Sequence, residues 1–329
     1  MKHGKPIIIN CAALMLLTCL HFAVKAQSPA KEAAIDAKVN ALLKRMTLEE
    51  KVGQMNQYNG FWEVTGPVPK DGDAKKKYDH LRKGMVGAVL NVKGAENVRK
   101  LQEIAVKETR LGIPLLFGYD VIHGHKTLFP IPLGEAASWD LAAIEKSART
   151  AAIEASAAGI NWTFAPMVDI GRDARWGRVM EGAGEDTYLG SKIGVARIKG
   201  FQGDDLAANN TIAACVKHFA GYGFAESGKD YNTVDVGTST LYNVILPPFK
   251  AASDAGVATV MNSFNVLNGV PATGNKFLQR DILKEAWKFK GFVVSDWGSG
   301  GEMIAHGYAK NLQQVAEMSA NAGSDMDME

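Results

Sequence analysis

Gly291-Phe292-Val293-Val294-Ser295-Asp296-Trp297 decides the fold: a short apolar run that ends abruptly in a carboxylate and an indole. The run does not alternate between apolar and polar residues, so it reads as a strand buried on both faces. Such strands belong to parallel sheets covered by helices. In those sheets the ligand site lies at the carboxyl ends of the strands, where Asp296 falls.

The same figure recurs upstream. Apolar runs at Val86 to Val92, Pro114 to Tyr119, Asn161 to Val168, Ile212 to Phe219 and Ala258 to Phe264 read as strands, and a last one begins near Ser324. Between them lie helical patterns at Glu96 to Arg110, Leu141 to Ala158, Thr187 to Phe201, Thr240 to Ala255, Lys276 to Trp287 and Leu312 to Ala322. Ala30 to Arg45 reads as a further helix, and Thr47-Leu48-Glu49-Glu50 as a capped helix start. Gly60 to Lys77, rich in glycine, proline and lysine, reads as a solvated loop. Strand–helix units of this length make either a (β/α) barrel or a doubly wound sheet, and periodicity does not choose between them.

Polar side chains collect at one end of these strands. Asp120 follows the second run, and Asp169 and Arg172 follow the third. Lys217 and His218 close the fourth, Asn262 and Phe264 sit late in the fifth, and Asp296 and Trp297 end the sixth. Each has a bland reading alone, as a helix cap, a rim lysine or a core histidine. Five successive strands ending this way point to one site. Arg172, Arg175 and Arg178 with Glu181, Glu185 and Asp186 read mainly as a structural ion-pair network.

Composition narrows the function. Of 329 residues, 47% are hydrophobic and 22% charged, as in a globular protein. Residues 1–26 read as a signal peptide: Lys2, His3 and Lys5 precede an apolar run, and Val24-Lys25-Ala26 offers a cleavage site. Cleavage removes Lys2, Lys5 and Lys25, leaving 34 basic against 35 acidic residues, so there is no electrostatic footprint for nucleic acid. It also removes Cys11 and Cys19. Cys215 then stands alone in an apolar run and reads as a buried, inert thiol. No strand–GxGxxG–helix unit occurs, and His123 and His125 stand two apart without a matching cluster, so no cofactor or metal is expected.

These blocks resemble glycoside hydrolase family 3. The resemblance is carried by Gly171-Arg172-Asp173-Ala174-Arg175-Trp176-Gly177-Arg178, Glu181-Gly182-Ala183-Gly184-Glu185-Asp186, Lys217-His218-Phe219 and Gly291 to Trp297. Tyr119 to Gly124 and Asn268 to Ala272 also match, in the family's order, and Tyr231 to Asp235 is similar to its branch of periplasmic β-glucosidases. The resemblance implies a (β/α)8 TIM-barrel-like domain over residues 27–329, a retaining exo-acting β-glycosidase that releases terminal β-D-glucose, and a periplasmic location. It implies that Asp296 is the nucleophile, and that Asp120, Arg172, Lys217 and His218 clamp the hydroxyls of the terminal sugar. Trp297 would offer an apolar platform.

Two positions depart from the family pattern. Phe264 stands where many members have tyrosine, and Lys229 where many have arginine. Family members continue into a second α/β domain that supplies the acid, so the resemblance implies a chain truncated near the last barrel strand. A β-xylosidase or broad β-glucan exohydrolase is the rival within the family, and a non-catalytic sugar-binding protein the rival outside it. The N-acetylglucosaminidase branch expects Gly-His-Gly, and this chain has Gly221-Tyr222-Gly223. Neighbours in a regular strand face opposite ways. For Lys217 and His218 to touch one sugar, the backbone must be irregular, with a cis non-proline bond expected between Lys217 and Phe219.

Overall fold

The computed structural model describes residues 29–60 and 70–329. The signal peptide expected over residues 1–26 lies outside the described residues. Two compact units divide the chain, Met1–Arg45 and Met46–Glu329. In the first, helix α1 runs over Pro29–Leu43. No helix among the described residues is long and apolar enough to cross a membrane.

The second unit opens on α2 (Leu48–Gly53), started by a complete capping box in which Thr47 and Glu50 satisfy each other's backbone N–H groups. Among the described residues eight parallel strands follow: β1 (Asn56–Asn59), β2 (Ala88–Leu90), β3 (Leu116–Tyr119), β4 (Trp162–Thr163), β5 (Cys215–Phe219), β6 (Thr259–Asn262), β9 (Phe292–Val294) and β10 (Asp327–Met328). A small antiparallel hairpin, β7 (Val266–Leu267) and β8 (Val270–Pro271), sits between them in sequence. The parallel strands form a five-stranded sheet, ordered β10-β1-β2-β3-β4, and a three-stranded one, β5-β6-β9. Single parallel bridges join the sheets on both sides, at Trp162↔Ala213 and Met167↔Lys217, and at Val294↔Met326. The architecture is α/β and barrel-like.

Alternation along the strands sorts side chains into two cores. Ala88, Leu90, Trp162, Cys215, Met261, Val294 and Met328 pack in one cluster. Their strand neighbours Val216, Val260 and Val293 pack outward against helices. Cys215 is a free thiol within the first cluster, and burial pushes it up to about 12, so it is inert at neutral pH.

Two sequence expectations need correction, and one strand left no signal in the sequence. The segment read as a loop from Gly60 to Lys77 carries the start of a helix at Gly72–Arg82, polar enough to hide its pattern. The expected strand over Asn161 to Val168 is regular only at Trp162–Thr163, and Pro166, which lacks an N–H, stands in the remainder. Strand β1 went unread because Asn56-Gln57-Tyr58-Asn59 has no apolar run, although Gln57 is fully buried.

Candidate active site

The site gathers where β5, β9 and the segments after β3 and β4 meet. At β5, the Lys217–His218 and Phe219–Ala220 peptide bonds are both cis, and the register with β6 shifts between Val216 and Phe219. This is the irregularity expected there. It turns both basic side chains toward the same group of carboxylates. The buried Lys217 Nζ donates to Asp120 Oδ1 at 3.2 Å. The Nε2 of His218, fully buried, lies 3.4 Å from Asp296 Oδ2.

Asp296 is 8% exposed and held from below. Its backbone N–H donates to Asn262 Oδ1 at 3.3 Å, and its Oδ1 accepts from the Trp297 N–H at 2.7 Å. Asn262 is itself fixed by Thr273, Ser299 and Ser324 in a buried polar network. Burial pushes the Asp296 carboxyl up to about 6, against the pull of the Lys217 ammonium, the Trp297 amide and the Arg178 guanidinium. A carboxylate so poised is ionised at neutral pH yet poorly solvated, which suits attack on an electrophilic carbon.

His218 is ordered from two sides. Asp169 Oδ2 accepts both its backbone N–H at 2.8 Å and its ring Nδ1–H at 2.7 Å. Arg178 Nη2 lies 3.1 Å from its Nε2, and the same guanidinium grips Glu181 at 2.7 and 3.0 Å. Burial, with Arg178 and Lys217 nearby, holds the imidazole well below its ordinary range, so it is neutral. Burial also pushes Asp169 up to about 7. For Arg178 burial works against the charge, but Glu181 outweighs it and raises the guanidinium. Asp169 thus orders His218, and Arg178 and Glu181, which read from sequence as structural, touch the site. Their signal was spacing within the Arg172 to Asp186 block, which does not tell inward from outward side chains.

The other expected residues are placed less tightly. Arg172 is exposed; its backbone N–H donates to Gly223 O at 3.0 Å, and its side chain makes no hydrogen bond or ion pair among the described residues. Gly223 is required there, since a Cβ would collide with the Ile170 carbonyl. Phe264 is buried with Met167, Trp176 and Tyr222, its ring edge-on to Tyr231 at 4.8 Å. Trp297 is 45% exposed at the rim, next to Asp296. Lys229 makes only backbone hydrogen bonds among the described residues. No group of three or more His, Cys, Asp or Glu among the described residues could hold a metal ion.

Known proteins resemble the chain in sequence and in fold. The chain is 44% identical over 300 residues to the periplasmic beta-glucosidase of Salmonella typhimurium, which covers 91% of this chain and 38% of that protein. It is 34% identical over 312 residues to a putative beta-xylosidase of Formosa agariphila, covering 89% of this chain and 41% of the relative. Its fold is similar to that of a mutant beta-glucosidase from Listeria innocua crystallised with laminaribiose, with a TM-score of 0.82 and 45% identity, over 89% of this chain and 41% of the other. The chain therefore spans about two fifths of the length of these proteins. Residues 47–329 match the model of the glycosyl hydrolase family 3 N-terminal domain. The chain belongs to glycosyl hydrolase family 3.

Proposed function

We propose that this chain carries the nucleophile and the sugar-binding residues of a retaining exo-acting β-glycosidase that releases terminal β-D-glucose from β-glucosides and β-gluco-oligosaccharides. The observation that carries the reading is the setting of Asp296: a buried carboxylate at the end of β9, with His218 and the Lys217–Asp120 pair alongside. Asp296 attacks the anomeric carbon and forms the glycosyl-enzyme, which water then hydrolyses. Lys217, Asp120 and Arg172 hold hydroxyls of the terminal sugar, turning remote binding energy into alignment at the reacting carbon, while His218, both of whose ring nitrogens are engaged by Asp169 and Arg178, packs beside Asp296. Phe264 and Trp297 offer apolar surface to the sugar or aglycone. The bridged parallel sheets support a (β/α)8 barrel as the scaffold, and the leader read at residues 1–26 supports a periplasmic place of work.

Asp296→Asn leaves the hydroxyl clamp in place but removes the attacking oxygen. The expected outcome is an intact fold, retained glucose binding and no glycosyl-enzyme. Mass spectrometry after treatment with 2,4-dinitrophenyl 2-deoxy-2-fluoro-β-glucoside should find the label on the peptide containing Asp296; a label on another carboxylate refutes the assignment. The similarity to a putative beta-xylosidase supports β-xylosides as a second substrate class. Parallel assays with p-nitrophenyl β-glucoside and β-xyloside separate the two, and faster cleavage of the xyloside would make β-xylosides the primary class.

A further inference from the structure

Arg178 faces His218 in a way that fixes where the imidazole proton sits. A guanidinium has donors and no acceptor. Its contact with Nε2 at 3.1 Å therefore makes Nε2 an acceptor without a proton. A neutral ring then carries its proton on Nδ1, where Asp169 Oδ2 accepts it at 2.7 Å. Asp296 Oδ2 lies 3.4 Å from the same bare nitrogen. Two acceptors face each other there, and the nucleophile gives up no lone pair to the ring.

The guanidinium is fixed as firmly as the ring. Glu181 binds it through two oxygens, and the Tyr222 ring lies 5.4 Å beneath its carbon. Tyr222 also packs edge-on to His218, with ring centres 5.2 Å apart. The charged and titratable groups around the imidazole are thus Asp169, Arg178, Glu181, Lys217, Tyr222 and Asp296. Without Arg178, a buried imidazole would lie between two carboxylates, a setting that favours the imidazolium.

We infer that Arg178 is a positioning residue that holds His218 as the neutral Nδ1–H tautomer and so keeps its Nε2 from taking a proton and pairing with Asp296. The inference rests on the reading of Asp296 as nucleophile, but its first half concerns the imidazole alone. In a chain lacking the guanidinium, His218 takes up a proton at Nε2 and donates it as a hydrogen bond to Asp296 Oδ2. That lone pair is then withheld from the anomeric carbon.

The test is nitrogen NMR of the full chain with labelled histidine, combined with the rate of labelling by the 2-fluoro glucoside as a function of pH. The wild type should show a bare Nε2 and a protonated Nδ1 at neutral pH. Arg178→Met should show both nitrogens protonated, and its labelling at neutral pH should fall roughly tenfold or more, the effect of about one pKa unit on the share of free carboxylate. The loss should recover as the pH is raised and the imidazolium gives up its proton. Arg178→Lys, which keeps a donor, should keep Nε2 bare. Arg178→Met also orphans Glu181, so the pair Arg178→Met with Glu181→Met serves where the single variant does not fold. A protonated Nε2 in the wild type overturns the inference without any variant. So does a folded Arg178→Met or Arg178→Met with Glu181→Met variant whose Nε2 stays bare, or one whose Nε2 is protonated while labelling is unchanged. If the wild type is not labelled at Asp296 at all, the nucleophile assignment fails, and the NMR result still decides the tautomer.

Discussion

Burial and the Lys217 ammonium act on the Asp296 carboxyl in opposite directions, and the balance can be read as a pH profile. Burial raises the Asp296 carboxyl to about 6, and Lys217 is the largest influence pulling it down. A protonated carboxyl cannot attack, so the rate of glycosyl-enzyme formation should fall as the pH drops through about 6, well above the range of a solvated aspartate. Lys217→Met removes the opposing charge, so the carboxyl rises further and the acid limb moves to higher pH. An acid limb that stays in place would show that Lys217 does not act on Asp296. The same substitution should weaken sugar binding by about 1.5–3 kcal/mol, the worth of a hydrogen bond to a charged group. At this scale the sequence was informative wherever a residue closed an apolar run, as Asp120, Lys217, His218 and Asp296 do. It was silent on Asn262, whose side-chain oxygen braces the Asp296 backbone, because that bond joins residues 34 apart in the chain.

Among the helices, a buried ion pair holds the segment that carries Asp120. The helix Thr187–Gln202 presents Arg197, whose guanidinium meets Glu135 at 2.5 Å and the carbonyl of Ile122. Both side chains are almost completely buried. Ile122 lies two residues beyond Asp120, so the pair ties one rim of the site to a helix on the outside. Burial lowers the Arg197 guanidinium, with Glu135 opposing. Removing one partner leaves the other as an uncompensated buried charge. Arg197→Met should therefore cost about 3–5 kcal/mol, and Arg197→Met with Glu135→Met far less. Chemical denaturation of the single and double variants checks this, and equal losses would mean that the charge left behind is not what matters. No periodicity announced this pair, since Arg197 and Glu135 lie 62 residues apart. Elements were legible where burial wrote an apolar pattern, and β1 and the helix at Gly72–Arg82 were missed because their residues are largely polar. The expected irregularity at Lys217 to Phe219 was legible because two adjacent side chains were assigned to one ligand.

Across the whole molecule, strand order was the part that periodicity left open, since the pairing of β1 with β10 joins segments 271 residues apart in the register Asn56↔Asp327. The same scale decides how many acids can serve the reaction. A retaining mechanism needs a second carboxyl about 5 to 5.5 Å from the nucleophile to protonate the leaving oxygen. Among the described residues, Asp169 spends Oδ2 on two bonds to His218, and Glu181 is gripped through both oxygens by Arg178. Asp120, half-exposed on the rim, is paired with Lys217. Two further acids stand near: Asp230, whose Oδ1 accepts from Trp176 Nε1, and Glu302, whose Oε2 is buried without a partner and whose carboxyl is raised above the ordinary range by burial, then by Asp296 and Asp230. Glu302 stands on the helix Ser299–Ala305, six residues after Asp296 in the same segment, and a donor must reach the leaving group from across the sugar. The expected outcome is that the chain cleaves 2,4-dinitrophenyl β-glucoside, whose leaving group needs no proton, and does not turn over cellobiose. General acid catalysis is typically worth about 10² to 10⁴-fold, and that factor should separate the two substrates beyond their intrinsic reactivity. Glu302→Gln should leave the dinitrophenyl rate within about threefold of wild type, since an amide of the same size keeps the packing and this leaving group needs no proton. Ready hydrolysis of cellobiose by the pure chain, lost in Glu302→Gln, would instead make Glu302 the proton donor and place both catalytic carboxyls within six residues of each other.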